Sequence, residues 1–138
     1  RMTSKLSVDT IQGVSQAGSI TIQGEGTAET NLQQGLSKAW ANVSGVNTTV
    51  NDSFNVASST DVSTGKKDIG FTNNMNNALY STVAMVFFHT GTGNGMNCAV
   101  EATYSTSEFR IITITHLNNS TSTADSQAIF TQVSGDLA

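Results

Sequence analysis

The chain has 138 residues, enough for one domain, or for one small domain with an arm. Six Lys and Arg against ten Asp and Glu give a net charge of −4, which argues against nucleic acid, whose phosphates demand a basic face. Charged residues are only 12% of the chain, while 20 Thr, 17 Ser and 13 Asn supply most of its polarity. With no Pro and 37% hydrophobic residues, the composition is that of a folded, β-rich chain rather than a disordered one.

The first elements are sparse. Leu6 and Val8 alternate with Lys5, Ser7 and Asp9, and Ile20 and Ile22 alternate with Ser19 and Thr21. Each pattern predicts a short strand with one apolar face. Gly13, Gly18, Gly24 and Gly26 punctuate them, and no aromatic residue occurs before Trp40. Two such strands cannot enclose a core alone, so this segment is expected to lean on its own domain, on sister copies or on a larger partner. Arg1-Met2-Thr3-Ser4-Lys5 lacks the apolar stretch of a secretory signal.

From Leu36 onward the pattern thickens. Ala39, Trp40, Ala41 and Val43 predict a strand, although Asn31–Ala41 also fits a short helix. Thr48–Val50 and Phe54–Ala57 are further strand candidates, and Lys67–Thr72 alternates around Ile69 and Phe71. The Asn-rich stretch Asn73–Leu79 predicts a loop or a single helical turn. Ser81–His89 is the strongest strand, with Val83, Met85 and Phe87 on one face and Ala84, Val86 and Phe88 on the other. A strand apolar on both faces is expected to be covered on both. Gly91–Gly95 reads as a turn, and Met96–Tyr104 alternates cleanly. Phe109–Leu117 switches parity between Ile111 and Ile112, which predicts a bulge or two covered faces. Asn118–Ser126 reads as a polar loop and Ala128–Val133 as the last strand. Seven or eight short strands with frequent turns predict an all-β fold, an antiparallel β-sandwich or jelly-roll-like module. One sandwich covers one face of each sheet, so the second apolar face of Ser81–His89 predicts an oligomer.

Reactive chemistry is scarce. His89 and His116 lie near strand ends without metal-ligand spacing, and Cys98 reads as a small buried hydrophobe. A lone cysteine closes no intrachain disulfide. Gly91-Thr92-Gly93-Asn94-Gly95 lacks the Lys-Ser/Thr of a phosphate loop, and no Gly-x-Ser-x-Gly elbow occurs. Asp61 with Asp68, or Glu101 with Glu108, are the acid pairs a glycosidase would need, and scattered surface acids are the simpler account. Asn-x-Ser/Thr triplets begin at Asn42, Asn47, Asn51, Asn118 and Asn119, as chance allows in a chain this rich in Ser and Thr. Lys66-Lys67 reads as a solvated turn and Trp40 as a core anchor. The longest apolar run, Val83–Phe88, is far too short to span a membrane. The expectation is a non-enzymatic protein with no catalytic or metal site, no cofactor, no nucleic-acid partner and no membrane.

One resemblance goes further. Residues 4–13 (SKLSVDTIQG) and 17–26 (AGSITIQGEG) resemble the start of structural proteins of marine tailed phages of the cyanophage and pelagiphage type. Residues 30–40 (TNLQQGLSKAW), 51–58 (NDSFNVAS), Phe71-Thr72 and 77–80 (NALY) resemble landmarks of the β-rich module that follows in those proteins. The chain departs from them at Ser44-Gly45-Val46-Asn47, where an acidic Gly-Thr-Gly turn is usual, and at Met75-Asn76, where Met-Pro is common. The resemblance implies a viral structural protein on the virion surface, either a capsid decoration or knob or a short tail fibre. On this reading residues 1–35 are an anchoring arm, docking through Leu6, Val8, Ile11, Ile20 and Ile22 on other virion proteins of capsid or tail. Residues 36–138 form an outward-facing sandwich, displayed as a homotrimer. The alternative is a host-attachment protein that binds a cell-surface glycan, with Trp40, Tyr80, Tyr104 and Asn94 as candidate contacts.

Overall fold

The computed structural model describes residues 5–13, 20–23, 26–87, 95–117 and 120–138. It divides into two compact units, Arg1–Leu36 and Ser37–Ala138. In the first unit, β1 (Thr21–Gln23) pairs antiparallel with β2 (Glu29–Asn31), and α1 (Leu32–Gly35) follows at once. Asn31 caps that single turn, its side chain accepting from the Gln34 N–H at 3.0 Å. The strand expected around Leu6 and Val8 does not form; residues 5–13 carry no strand or helix. A period of two is not sufficient without a partner to receive the backbone hydrogen bonds. None of the first unit's described residues is buried.

The second unit holds two antiparallel sheets. One is four-stranded, in the order β4 (Val50–Phe54), β3 (Ala39–Ser44), β11 (Ala128–Ser134), β7 (Ser81–Phe87). The other runs β5 (Val56–Ser63), β6 (Lys66–Phe71), β9 (Glu108–Leu117), β8 (Gly95–Tyr104), with β10 (Ser120–Thr123) pairing the far end of β9. Ala39, Ala41, Val43, Ile129 and Val133 from the first sheet share one buried cluster with Ile69, Phe71, Phe109 and Ile111 from the second. This is the expected sandwich. The hairpins β3–β4, β5–β6 and β8–β9 each stay within one sheet, whereas a jelly roll passes successive strands from sheet to sheet, so that finer form is not adopted.

Local chemistry explains the joints. Asn55 adopts a left-handed φ of 56° where the chain leaves β4 for the other sheet, a conformation asparagine tolerates better than most residues. Its amide donates to the carbonyls of Lys38 and Asn73, and its oxygen accepts from the Asn73 N–H at 2.7 Å. Thr64 and Gly65 turn β5 into β6, with Gly65 at φ 71°. The Gly65 N–H donates to Asp125 and its carbonyl accepts from the Thr113 N–H.

Three other expectations are refined. Residues Leu32–Gly35 are helical and Ala39 begins a strand, so both readings of Asn31–Ala41 hold in succession. β5 extends through the polar run to Ser63, and Ser120–Thr123 is a strand rather than a loop. The parity switch in β9 involves no register shift in its own pairing from Glu108 to Ile112 with β6. Phe109, Ile111 and Thr113 are buried on one face, while Ile112 and Ile114 are half-buried on the other.

Candidate functional site

Turnover would need ionisable groups that other charges do not hold. On the outer face of the second sheet, Asp68, Arg110 and Glu101 lie in one cross-strand row. Arg110 donates to both Asp68 oxygens, Nε at 2.6 Å and Nη2 at 2.9 Å, and its Nη1 lies 3.9 Å from Glu101. Lys66 Nζ contacts Glu101 Oε1 at 2.5 Å. The Asp68 hydrogen bond is the main cause that raises the Arg110 pKa above its ordinary value, so the guanidinium stays charged. Asp68 and Glu101 thus each face a cation, an arrangement that neutralises acids instead of setting up an acid–base pair.

Lys67 points inward, in register with Ile69 and Phe71, and is only 2% exposed. Its ammonium lies 3.4 Å from Asp61, its direct neighbour across β5–β6. Asp61 is therefore a partner for a buried lysine. The reading of Lys66-Lys67 as a solvated turn is corrected: the alternation of β6 sends Lys67 into the core and leaves Lys66 on the outer face.

Cys98 lies half-buried on the inward face of β8, packed against the core, and burial pushes its thiol pKa up. His116 is exposed, with Nε2 3.2 Å from the Asn97 amide, and His89 lies outside the described residues. Among the described residues, no group of three His, Cys, Asp or Glu side chains is placed to hold a metal ion.

Of the candidate ligand contacts, Tyr80 and Tyr104 lie together, whereas Trp40 stands on the outer face of the other sheet. Tyr80 is 7% exposed and packs edge-on against Phe71 at 5.5 Å. Its hydroxyl donates to the carbonyls of Ser105 and Glu108, each at 3.0 Å. Burial, then the neighbouring Tyr104, pushes its pKa up to about 12. Tyr104 is half-buried, its ring 5.0 Å from that of Tyr80. Asn94 lies outside the described residues.

Trp40 behaves differently. The sequence suggests a core anchor, yet β3 turns Ala39, Ala41 and Val43 inward and leaves Trp40 on the outer face, 39% exposed. The register sets it opposite Phe54 on one side and Gln132 on the other. Gln132 in turn pairs with Val83, and Phe130 with Met85. Val83 is 68% and Met85 67% exposed, and Phe54, Phe87 and Phe130 join them on the same face. Among the described residues, Ala84 and Val86 on the inward face of β7 are only half-buried and Val83, Met85 and Phe87 on its outward face are exposed, so the expected cover on both faces is not seen there, and Phe88 lies outside the described residues. Phe54, Phe130 and Gln132 escape sequence reasoning; the legible signal was Phe130, an aromatic out of phase with Ile129, Thr131 and Val133.

In the first unit, Leu6, Val8, Ile11 and Ile22 are exposed and Ile20 is half-buried. No helix among the described residues is long and apolar enough to cross a membrane. No protein-family model, curated protein or solved structure matches the chain.

Proposed function

We propose that the chain is a structural component of a tailed-phage virion, a capsid knob or decoration or a short tail fibre, located on the virion surface. Residues 1–35 act as its anchoring arm on other virion proteins, and the sandwich is displayed outward as a homotrimer. The resemblance of residues 4–80 to such proteins is the origin of this reading. The observation that carries it furthest is the first unit, in which no described residue is fully buried while Leu6, Val8, Ile11 and Ile22 face water. Exposed aliphatics on a segment without a core are suited to docking on a partner. The neutralised acids of the second unit support assembly over turnover. Particles grown with a chain lacking residues 2–26 should lose the protein while the free chain stays folded. Normal incorporation of the truncated chain would refute the anchor.

The second reading, a host-attachment protein for a surface glycan, draws on one feature. Trp40 lies beside Gln132, and Asn42 is opposite Asp52 in the next row. An aromatic ring flanked by amides and a carboxylate is a sugar-compatible set. A glycan array with no binder, together with unchanged adsorption of phage lacking the protein, would remove it.

A further inference from the structure

The outer face of the β4-β3-β11-β7 sheet is built from outward positions of all four strands. Phe54 opposes Trp40 across β4–β3, and Phe130 opposes Met85 across β11–β7. Val83, Met85 and Phe87 follow one another on β7, and Trp40 and Phe130 are diagonal neighbours across β3–β11, within reach for aromatic rings. Exposures run from 39% at Trp40 and Phe130 to 68% at Val83. Taking about 150–250 Å² for each large side chain, these six present roughly 600 Å² of apolar surface to water. That is at the upper end of the largest patch a monomer carries, about 300–600 Å². It approaches the roughly 800 Å² that each partner contributes to a stable protein interface.

We propose that this face is the contact between copies of the chain. The inference rests on the reading of the chain as an assembly protein and names the partner of this surface. Three features select a second copy as the occupant. The face is nearly bare of charge: Asp52 is the sole ionisable side chain among its described outward positions, so it offers a charged partner a single carboxylate. The opposite outer face carries Lys66, Asp68, Arg110 and Glu101, and its charges would be desolvated at cost if it were the contact. A regular sheet face is also complementary to another of its kind, because stacked sheets interdigitate at about 10 Å. Stacked in this way, each copy covers the apolar face of another.

Trp40 is the only tryptophan, so it reports directly on this surface. The purified chain should sediment as an oligomer at micromolar concentration. A chain carrying Val83→Lys and Met85→Lys should fall to the mass of one copy, with an unchanged β-type circular dichroism spectrum and red-shifted Trp40 emission. Val62→Lys, on the other sheet, should leave the mass as it was. If the double lysine chain does not fold, the pair Phe54→Ser and Phe130→Ser makes the same comparison. A wild-type monomer at that concentration overturns the inference. So does an oligomer that survives whichever pair of substitutions folds, an outcome that leaves the virion role standing, since that role is read independently from incorporation into particles. A monomeric chain whose Trp40 emission responds to a soluble glycan overturns it in favour of the attachment reading.

Discussion

Gly65 shows how one residue fixes the meeting of several segments. At φ 71° it occupies a conformation that side chains resist, and a Cβ there would approach the Thr113 carbonyl oxygen to 2.8 Å and the Ala124 N to 2.7 Å. Both obstacles are backbone and cannot rotate away. Gly65→Ala should cost about 1–3 kcal/mol, read as a lower thermal midpoint. Tyr80 gives a pH signature. Its folded pKa of about 12 stands above the ordinary tyrosine value of 10.0, so the folded state keeps a proton that the unfolded state releases first. The associated stability is complete below pH 10.0 and is lost as the pH climbs toward about 12. Tyr80→Phe should remove this component of the alkaline decline and, by deleting a hydroxyl bonded to two carbonyls, cost about 1 kcal/mol at neutral pH. Melting curves at several alkaline pH values, wild type beside variant, make the check.

At the scale of the element, alternation was the readable signal. Ala39–Ser44, Lys66–Phe71 and Ala128–Ser134 are strands because their apolar positions recur every second residue. Where the pattern was present without a partner strand, around Leu6 and Val8, it did not suffice. Where the pattern was absent, in the Ser-Thr run at the end of β5 and in β10, pairing with β6 and β9 supplied the strand instead. Lys67 is the element-scale exception, a cation at an inward position. Removing its charge with its volume kept, by Lys67→Met, should be neutral or stabilising by about 1–4 kcal/mol, because the buried ammonium then needs no partner. Asp61→Ala should destabilise, since it strips that partner. Urea titration of both variants distinguishes the two directions.

At the scale of the whole molecule, every residue of the buried cluster belongs to the second unit. A chain beginning at Ser37 should therefore melt cooperatively on its own, with the circular dichroism of a β protein, whereas residues 1–36 alone should show no transition. Apart from the pair of buried Lys67 with Asp61, the described ion pairs are partly exposed, and such pairs contribute only about 0–1 kcal/mol each. The thermal midpoint should accordingly move little between low and high sodium chloride. The amino-acid sequence by itself determined the all-β class, most of the strands and the poverty of reactive groups, because these follow from local periodicity and composition. Only the tertiary structure decided which side of each strand meets water. It took Tyr80 inside, turned Trp40 outside and exposed Val83 and Met85, because a side chain's burial depends on which distant strand lies across from it, and no local pattern encodes that pairing.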